Sequence, residues 1–168
     1  QNLGAYRMQA IQGVTSALEL ESGVLPIDGW YEAQAKKNLP INYGAAAGWT
    51  FARIATFENN DPEPTSDYFQ KAQSDPHWKN DIASEEQLDN ILKLVQEGLD
   101  AGGLGIGING GYAPGYGRKE YYAIAKLAKE NEVSTYTHMR YTAIPEPLST
   151  FEALEELISL AAITGARM

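Results

Sequence analysis

Apolar and polar positions along the chain fall into two alternating rhythms. Leu3, Tyr6, Ala10 and Ile11 recur at helical spacing and predict a short helix over 3–12 that stops at Gly13. Residues 14–21 follow as an apolar-rich strand, and Ser22-Gly23 reads as a turn. Pro26-Ile27-Asp28 opens a helix through Trp30, Ala33 and Ala35. A second strand is predicted over 39–43, then the small-residue run Gly44-Ala45-Ala46-Ala47-Gly48 and a helical piece over 50–56. Ser84 with Gln87 three positions on is a capping-box signature. It opens a helix whose apolar face carries Leu88, Ile91, Leu92, Val95 and Leu99 and which Gly102-Gly103 ends. A strand at 104–108, a glycine-rich loop at 110–117 and a helix from about Arg118 to Glu130 come next. Residues 133–138 are a fourth strand. A proline-punctuated loop and a last helix from Ser149 or Thr150, with Leu154, Leu157, Ile158 and Ala161 on one face, complete the pattern.

Strand, helix, strand, helix is the rhythm of a parallel α/β sheet. Four such units make half of an eight-stranded barrel or a small open sheet. Only 58–81 breaks the rhythm. Its turn formers, Asn59-Asn60-Asp61-Pro62-Glu63-Pro64 and Ser74-Asp75-Pro76-His77, predict an irregular surface excursion. At 168 residues the chain reads as one domain, 1–168. The first residues enter a helix at once, and Gly165 follows the last helix where a strand is due, so we expect a segment of a longer protein.

Charge narrows the function classes. A net charge of −9 without a basic stripe argues against nucleic acid. No apolar run is long enough for a bilayer. The absence of cysteine excludes disulfides and thiolate metal sites and fits a cytoplasmic protein.

Candidate chemistry collects at the predicted strand ends. His138, one of two histidines, stands at the carboxyl end of the fourth strand, where barrels and open sheets place reacting groups. A histidine that caps the strand and bonds a backbone carbonyl is the plain alternative. Glu19 and Glu21 share one face at the end of the first strand and need a cation, a metal or an arginine, if buried. His138 and a glutamate would make a mixed N/O site suited to zinc. Tyr112, just past the third strand, has a hydroxyl able to donate to a carbonyl or an oxyanion. His77 reads as a solvated loop residue. Gly105, Gly107 and Gly110 match G-x-G-x-x-G, but two of them fall inside the predicted strand and the helix starts too late for a pyrophosphate site. On a barrel's inner face such glycines leave room for a ligand.

Three stretches, residues 13–23, 103–115 and Tyr136-Thr-His-Met-Arg140, stand in an order and spacing that resemble the N-acyl-D-amino-acid deacylases of the amidohydrolase superfamily, most closely the N-acyl-D-glutamate deacylase branch. The resemblance implies a partial (β/α)8 TIM barrel, strands two to five, with parallel strands. It implies a zinc-activated hydroxide that hydrolyses the amide of an N-acyl-D-amino acid. His138 matches a metal ligand, and Tyr112 the tyrosine that hydrogen-bonds the scissile carbonyl. Glu21, with Glu19 as second choice, stands where the family often has a cysteine ligand. Arg140 is a nearby cation able to read a substrate carboxylate or to pair within the fold. The family's H-x-H motif, its next metal histidine and its aspartate have no counterpart here, so this chain alone is expected to be inactive. Two raw sheet edges predict self-association or pairing with a missing barrel half. The rival expectations are a non-catalytic α/β binding or scaffolding domain and a nucleotide-binding domain that uses the 105–110 loop.

Overall fold

The computed structural model describes residues 3–168. Its centre is a four-stranded sheet, β1 Ser16–Val24, β2 Asn42–Gly48, β3 Ile106–Asn109 and β4 Thr135–His138. The strand order is β1-β2-β3-β4 and every pairing is parallel. Helices follow the strands: α1 Leu3–Ile11 precedes β1, α2 Ile27–Ala35 follows it, and α3 Trp49–Glu58 follows β2. Then come α4 Ser66–Ala72, α5 His77–Asn80, α6 Glu85–Asp100, α7 Arg118–Glu130 and α8 Thr150–Thr164. This is the half-barrel that the strand and helix rhythm predicts. After α8, Thr135 N donates to Arg167 O at 2.9 Å and Ser134 pairs with Arg167 in parallel, so an extended stretch does follow that helix. No helix among the described residues is long and apolar enough to cross a membrane.

Two strands differ from expectation. The run Gly44 to Gly48 is β2 itself, not a loop after it. Alanine and glycine have low strand propensity, but Ala45, Ala46 and Ala47 are completely buried and only small side chains fit there. A Cβ at Gly44 would lie 2.5 Å from Leu104 Cδ1. Ser22-Gly23 is likewise part of β1. The register slips between Glu19 and Val24, and Val24 resumes the ladder opposite Ala47. This bulge bends the tail of β1 across its neighbours. A Cβ at Gly107 would lie 2.5 Å from Leu20 O, and one at Gly48 2.8 Å from Ser22 O. The inner-face glycines therefore make room for the protein's own backbone rather than for a ligand.

The excursion at 58–81 carries two short helices, α4 and α5, between its turns. Thr65 caps α4 by accepting from Tyr68 N, and Trp78 is completely buried with its indole N–H donating to Ala72 O at 2.7 Å. Arg53 of α3, also fully buried, fastens the segment: Nε donates to Trp78 O at 2.5 Å and Nη2 to Asp81 O. Its Nη1 pairs with Glu120 Oε2 of α7 at 2.5 Å, and Glu120 Oε1 accepts from Trp49 Nε1 at 2.8 Å. One buried cation thus joins α3, the excursion and α7. Both capping boxes form, Ser84 with Gln87 and Ser149 with Glu152.

Removing one partner of a buried ion pair leaves the other charge uncompensated, at a cost of about 3–5 kcal/mol. Glu120→Gln and Arg53→Met should each lower the unfolding free energy by that order in urea titrations. The double variant should recover part of the loss. Equal additive losses would show that the two side chains do not act together.

Candidate active site

Each candidate side chain is aimed by the end of a strand. Beyond β3 the chain closes a 3₁₀ turn, Gly110–Tyr112, which lifts Tyr112 onto the carboxyl edge of the sheet. His138 is the last residue of β4, paired with Asn109 at the end of β3. Its ring lies against Gly111, where a Cβ would stand 2.7 Å from Nε2. The ring centroids of Tyr112 and His138 are 5.5 Å apart. Glu21, on the bent tail of β1, accepts a hydrogen bond from His138 Nδ1 at 2.9 Å. A carboxylate only accepts, so this contact places a proton on Nδ1; in the neutral ring the lone pair is then on Nε2. The structure therefore brings His138, Tyr112 and Glu21 to one mouth. The expected bond from a strand-capping histidine to a backbone carbonyl is replaced by this bond to a carboxylate.

Glu19 and Glu21 part company at the bulge. Glu21 turns to His138, while Glu19 lines a hollow of about 350 Å³ on the same edge. Burial pushes the Glu19 carboxyl up, the Ser22 backbone N–H opposes this, and Glu21 adds to the rise. Sequence reasoning missed two neighbours of this hollow. Asn109 ends β3, donates Nδ2 to Ser22 Oγ at 3.0 Å and keeps Oδ1 buried without a partner. Phe69 of α4 lines the hollow and meets the Tyr112 ring edge-on at 5.5 Å. The polar residue closing the apolar strand 104–109 was the one legible signal for Asn109; Phe69 sat in a segment with no periodicity.

Arg140 does not face the mouth. It is buried, with Nε and Nη2 on the two oxygens of Glu156 at 3.0 Å each. Nη1 donates to Pro114 O and Tyr116 O, and the guanidinium lies over the Tyr116 ring at 3.5 Å. Of the two roles considered for Arg140, this geometry realises the pairing within the fold. Gly105 precedes β3 and Gly107 lies within it, while α7 begins only at Arg118, so no helix amino end meets the 105–110 glycines as a nucleotide site requires.

Among the described residues no three His, Cys, Asp or Glu side chains stand close enough together to hold a metal ion. An imidazole nitrogen and a carboxylate are donor types that suit zinc, but catalytic zinc takes three protein ligands.

No family model matches the chain, and no curated protein matches it. Solved structures do. An N-acyl-D-glutamate deacylase from Bordetella bronchiseptica, complexed with zinc and a phosphonate that mimics the tetrahedral intermediate, superposes with a TM-score of 0.71 at 18% identity, over 96% of this chain and 35% of that one. A D-aminoacylase variant in complex with CuCl2 gives 0.69 at 17% identity, over 98% of this chain and 36% of that one. A D-aminoacylase described as defining a novel subset of amidohydrolases gives 0.68 at 17% identity, over the same shares. At such identities the likeness is one of fold. The chain has the fold of half a (β/α) barrel, and it spans 35–36% of the length of these structures.

The Nδ1–H tautomer of His138 is open to direct observation. Long-range proton–nitrogen spectra should show Nδ1 protonated, and Glu21→Ala should shift the ring toward the opposite tautomer. His77 is separate from this mouth: it is exposed on α5 and its Nδ1 meets Asp81 Oδ2 at 2.6 Å. That hydrogen bond, then the charges of Asp81 and Asp75, hold its pKa above the ordinary 6.5. The pair's contribution is present below about 6.5 and lost as pH rises through the raised value. An NMR titration of His77 should show the raised midpoint, and Asp81→Asn should bring it down.

Proposed function

We propose that this chain is the strand-two-to-five segment of an amidohydrolase barrel that hydrolyses the amide bond of N-acyl-D-amino acids. The observation that carries this reading is the meeting of Tyr112, His138 and Glu21 at one mouth, in a fold similar to solved D-amino-acid deacylases. In the reaction the oxygen of water bonds to the acyl carbon, the C–N bond breaks and a proton passes to the departing amine. The products are a carboxylate and a D-amino acid. Tyr112, partly exposed at the mouth, donates its hydroxyl to the scissile carbonyl oxygen, where negative charge grows. Glu21 fixes the orientation of the His138 ring and leaves Nε2 free, as carboxylates do behind metal-binding histidines.

Nε2 of His138 is the donor this arrangement would offer to a zinc ion; Glu21 would become a ligand only by leaving Nδ1. A bound zinc acidifies water and polarises a carbonyl. So small a donor set would hold zinc weakly, so in this reading the ion and the activity belong to a complete barrel. β1 stands at the end of the sheet among the described residues, with Leu18 half exposed, and this edge is where another barrel half or a second copy would pair. The incomplete donor set also favours a second reading, a non-catalytic binding domain with the same fold.

The isolated 168-residue chain should release no amino acid from a panel of N-acetyl-D-amino acids. The product of the full reading frame that carries it should do so with zinc. In that protein Tyr112→Phe should lower kcat by about 10²–10³-fold, and His138→Ala should remove both bound zinc and turnover. A full-length product that hydrolyses no member of the panel, with or without zinc, would leave the binding-domain reading in its place.

A further inference from the structure

The hollow beside the mouth has a chemistry of its own. Its walls come from Glu19 and Ser22 of β1, Asn109 of β3, Trp30 of α2, Phe51 of α3 and Phe69 of α4. At about 350 Å³ it is large enough for a short side chain or a small molecule. Phe69 touches Tyr112, so whatever fills it lies next to the proposed reaction site.

The polar side chains lining this space include one carboxylate, several hydroxyls, and amides of which two have an unpartnered oxygen. Asn109, 3% exposed, has Oδ1 buried without a partner while Nδ2 is held by Ser22 Oγ. Gln9 also lines the hollow, and its Oε1 is buried and unpartnered. Glu19 contributes a half-buried carboxylate, and among the described residues no cation pairs with it. None of the described residues lining the hollow is Lys, Arg or His. An anion placed there would meet the Glu19 carboxylate without a basic side chain among the described lining residues to offset the repulsion. A cation would gain a charge-assisted bond to Glu19 and lie beside the aromatic side chains of the wall.

We propose that this hollow binds small organic cations, alkylammonium or alkylguanidinium. On the deacylase reading, it receives the basic side chain of the N-acyl-D-amino acid. The substrate preference then runs opposite to D-glutamate, whose side-chain carboxylate would need the cation that Arg140 gives to Glu156.

The test is an NMR titration of the full chain with n-butylammonium and n-butylguanidinium chloride, and with sodium glutarate at matched ionic strength. Saturable binding of the two cations at about millimolar concentration is expected, with shifts centred on the Trp30 indole and the Asn109 side-chain amide. Glutarate should produce none. Glu19→Gln keeps shape and removes charge, and should weaken cation binding about tenfold or more; its circular dichroism spectrum should match the parent's. Cation binding that is unchanged in Glu19→Gln, or glutarate binding as tight as the cations, overturns the proposal. In the full-length protein, N-acetyl-D-lysine should exceed N-acetyl-D-glutamate in kcat/KM, and Glu19→Gln should narrow the ratio. Hydrolysis of N-acyl-D-amino acids without cation binding defeats the cation site and spares the deacylase reading. Cation binding without any such hydrolysis does the reverse.

Discussion

The close approach of three glycines governs the site. Gly23, Gly48 and Gly107 let the tail of β1 lie across the ends of β2 and β3 at distances no side chain tolerates. A Cβ at Gly23 would stand 2.6 Å from Ala46 O, and one at Gly107 2.5 Å from Leu20 O. The bulge that this crossing requires separates two carboxylates two residues apart in sequence. Glu21 reaches the imidazole of His138, and Glu19 turns to the hollow. A regular strand would have pointed both to one side. Backbone proximity here decides which acid orients a histidine and which stands ready for a ligand.

A second constraint acts from beneath. The buried Arg53 spends its donors on Glu120 and on two carbonyls of the excursion, and so carries α4 and α5 to the rim of the sheet. Phe69 arrives with them and forms the wall between the hollow and Tyr112. Arg140 plays the matching part on the other side, tying the loop after β3 to α8 through Pro114, Tyr116 and Glu156. Both arginines serve architecture. The mouth between them is left with acids, an imidazole, a phenol and amides, in keeping with the chain's negative balance.

Much of this could be read from the residues, because local signals and final structure agree in the second half of the chain. The Ser84 capping box, the apolar stripe of α6 and the β-branched run before His138 each specify their element without help from elsewhere. The positions of His138, Tyr112 and Glu21 at strand ends followed from the βα rhythm. Their partners did not, since a contact between residues 117 positions apart leaves no local trace. Residues 44–48 were misread because a strand of glycine and alanine owes its form to neighbours that allow nothing larger. The helices of 66–80 were missed because a buried tryptophan and a distant arginine hold them, while the segment's own composition favours turns.

The middle strand has one more consequence, for how such a chain can change over time. Ala45, Ala46 and Ala47, flanked by Gly44 and Gly48, already stand at or next to the smallest size a residue can have. Almost every replacement there adds atoms where none fit, so drift can only push outward, and each step must wait for a neighbour such as Leu104 to shrink first. Room for change lies instead at the rim, at half-exposed positions such as Glu19.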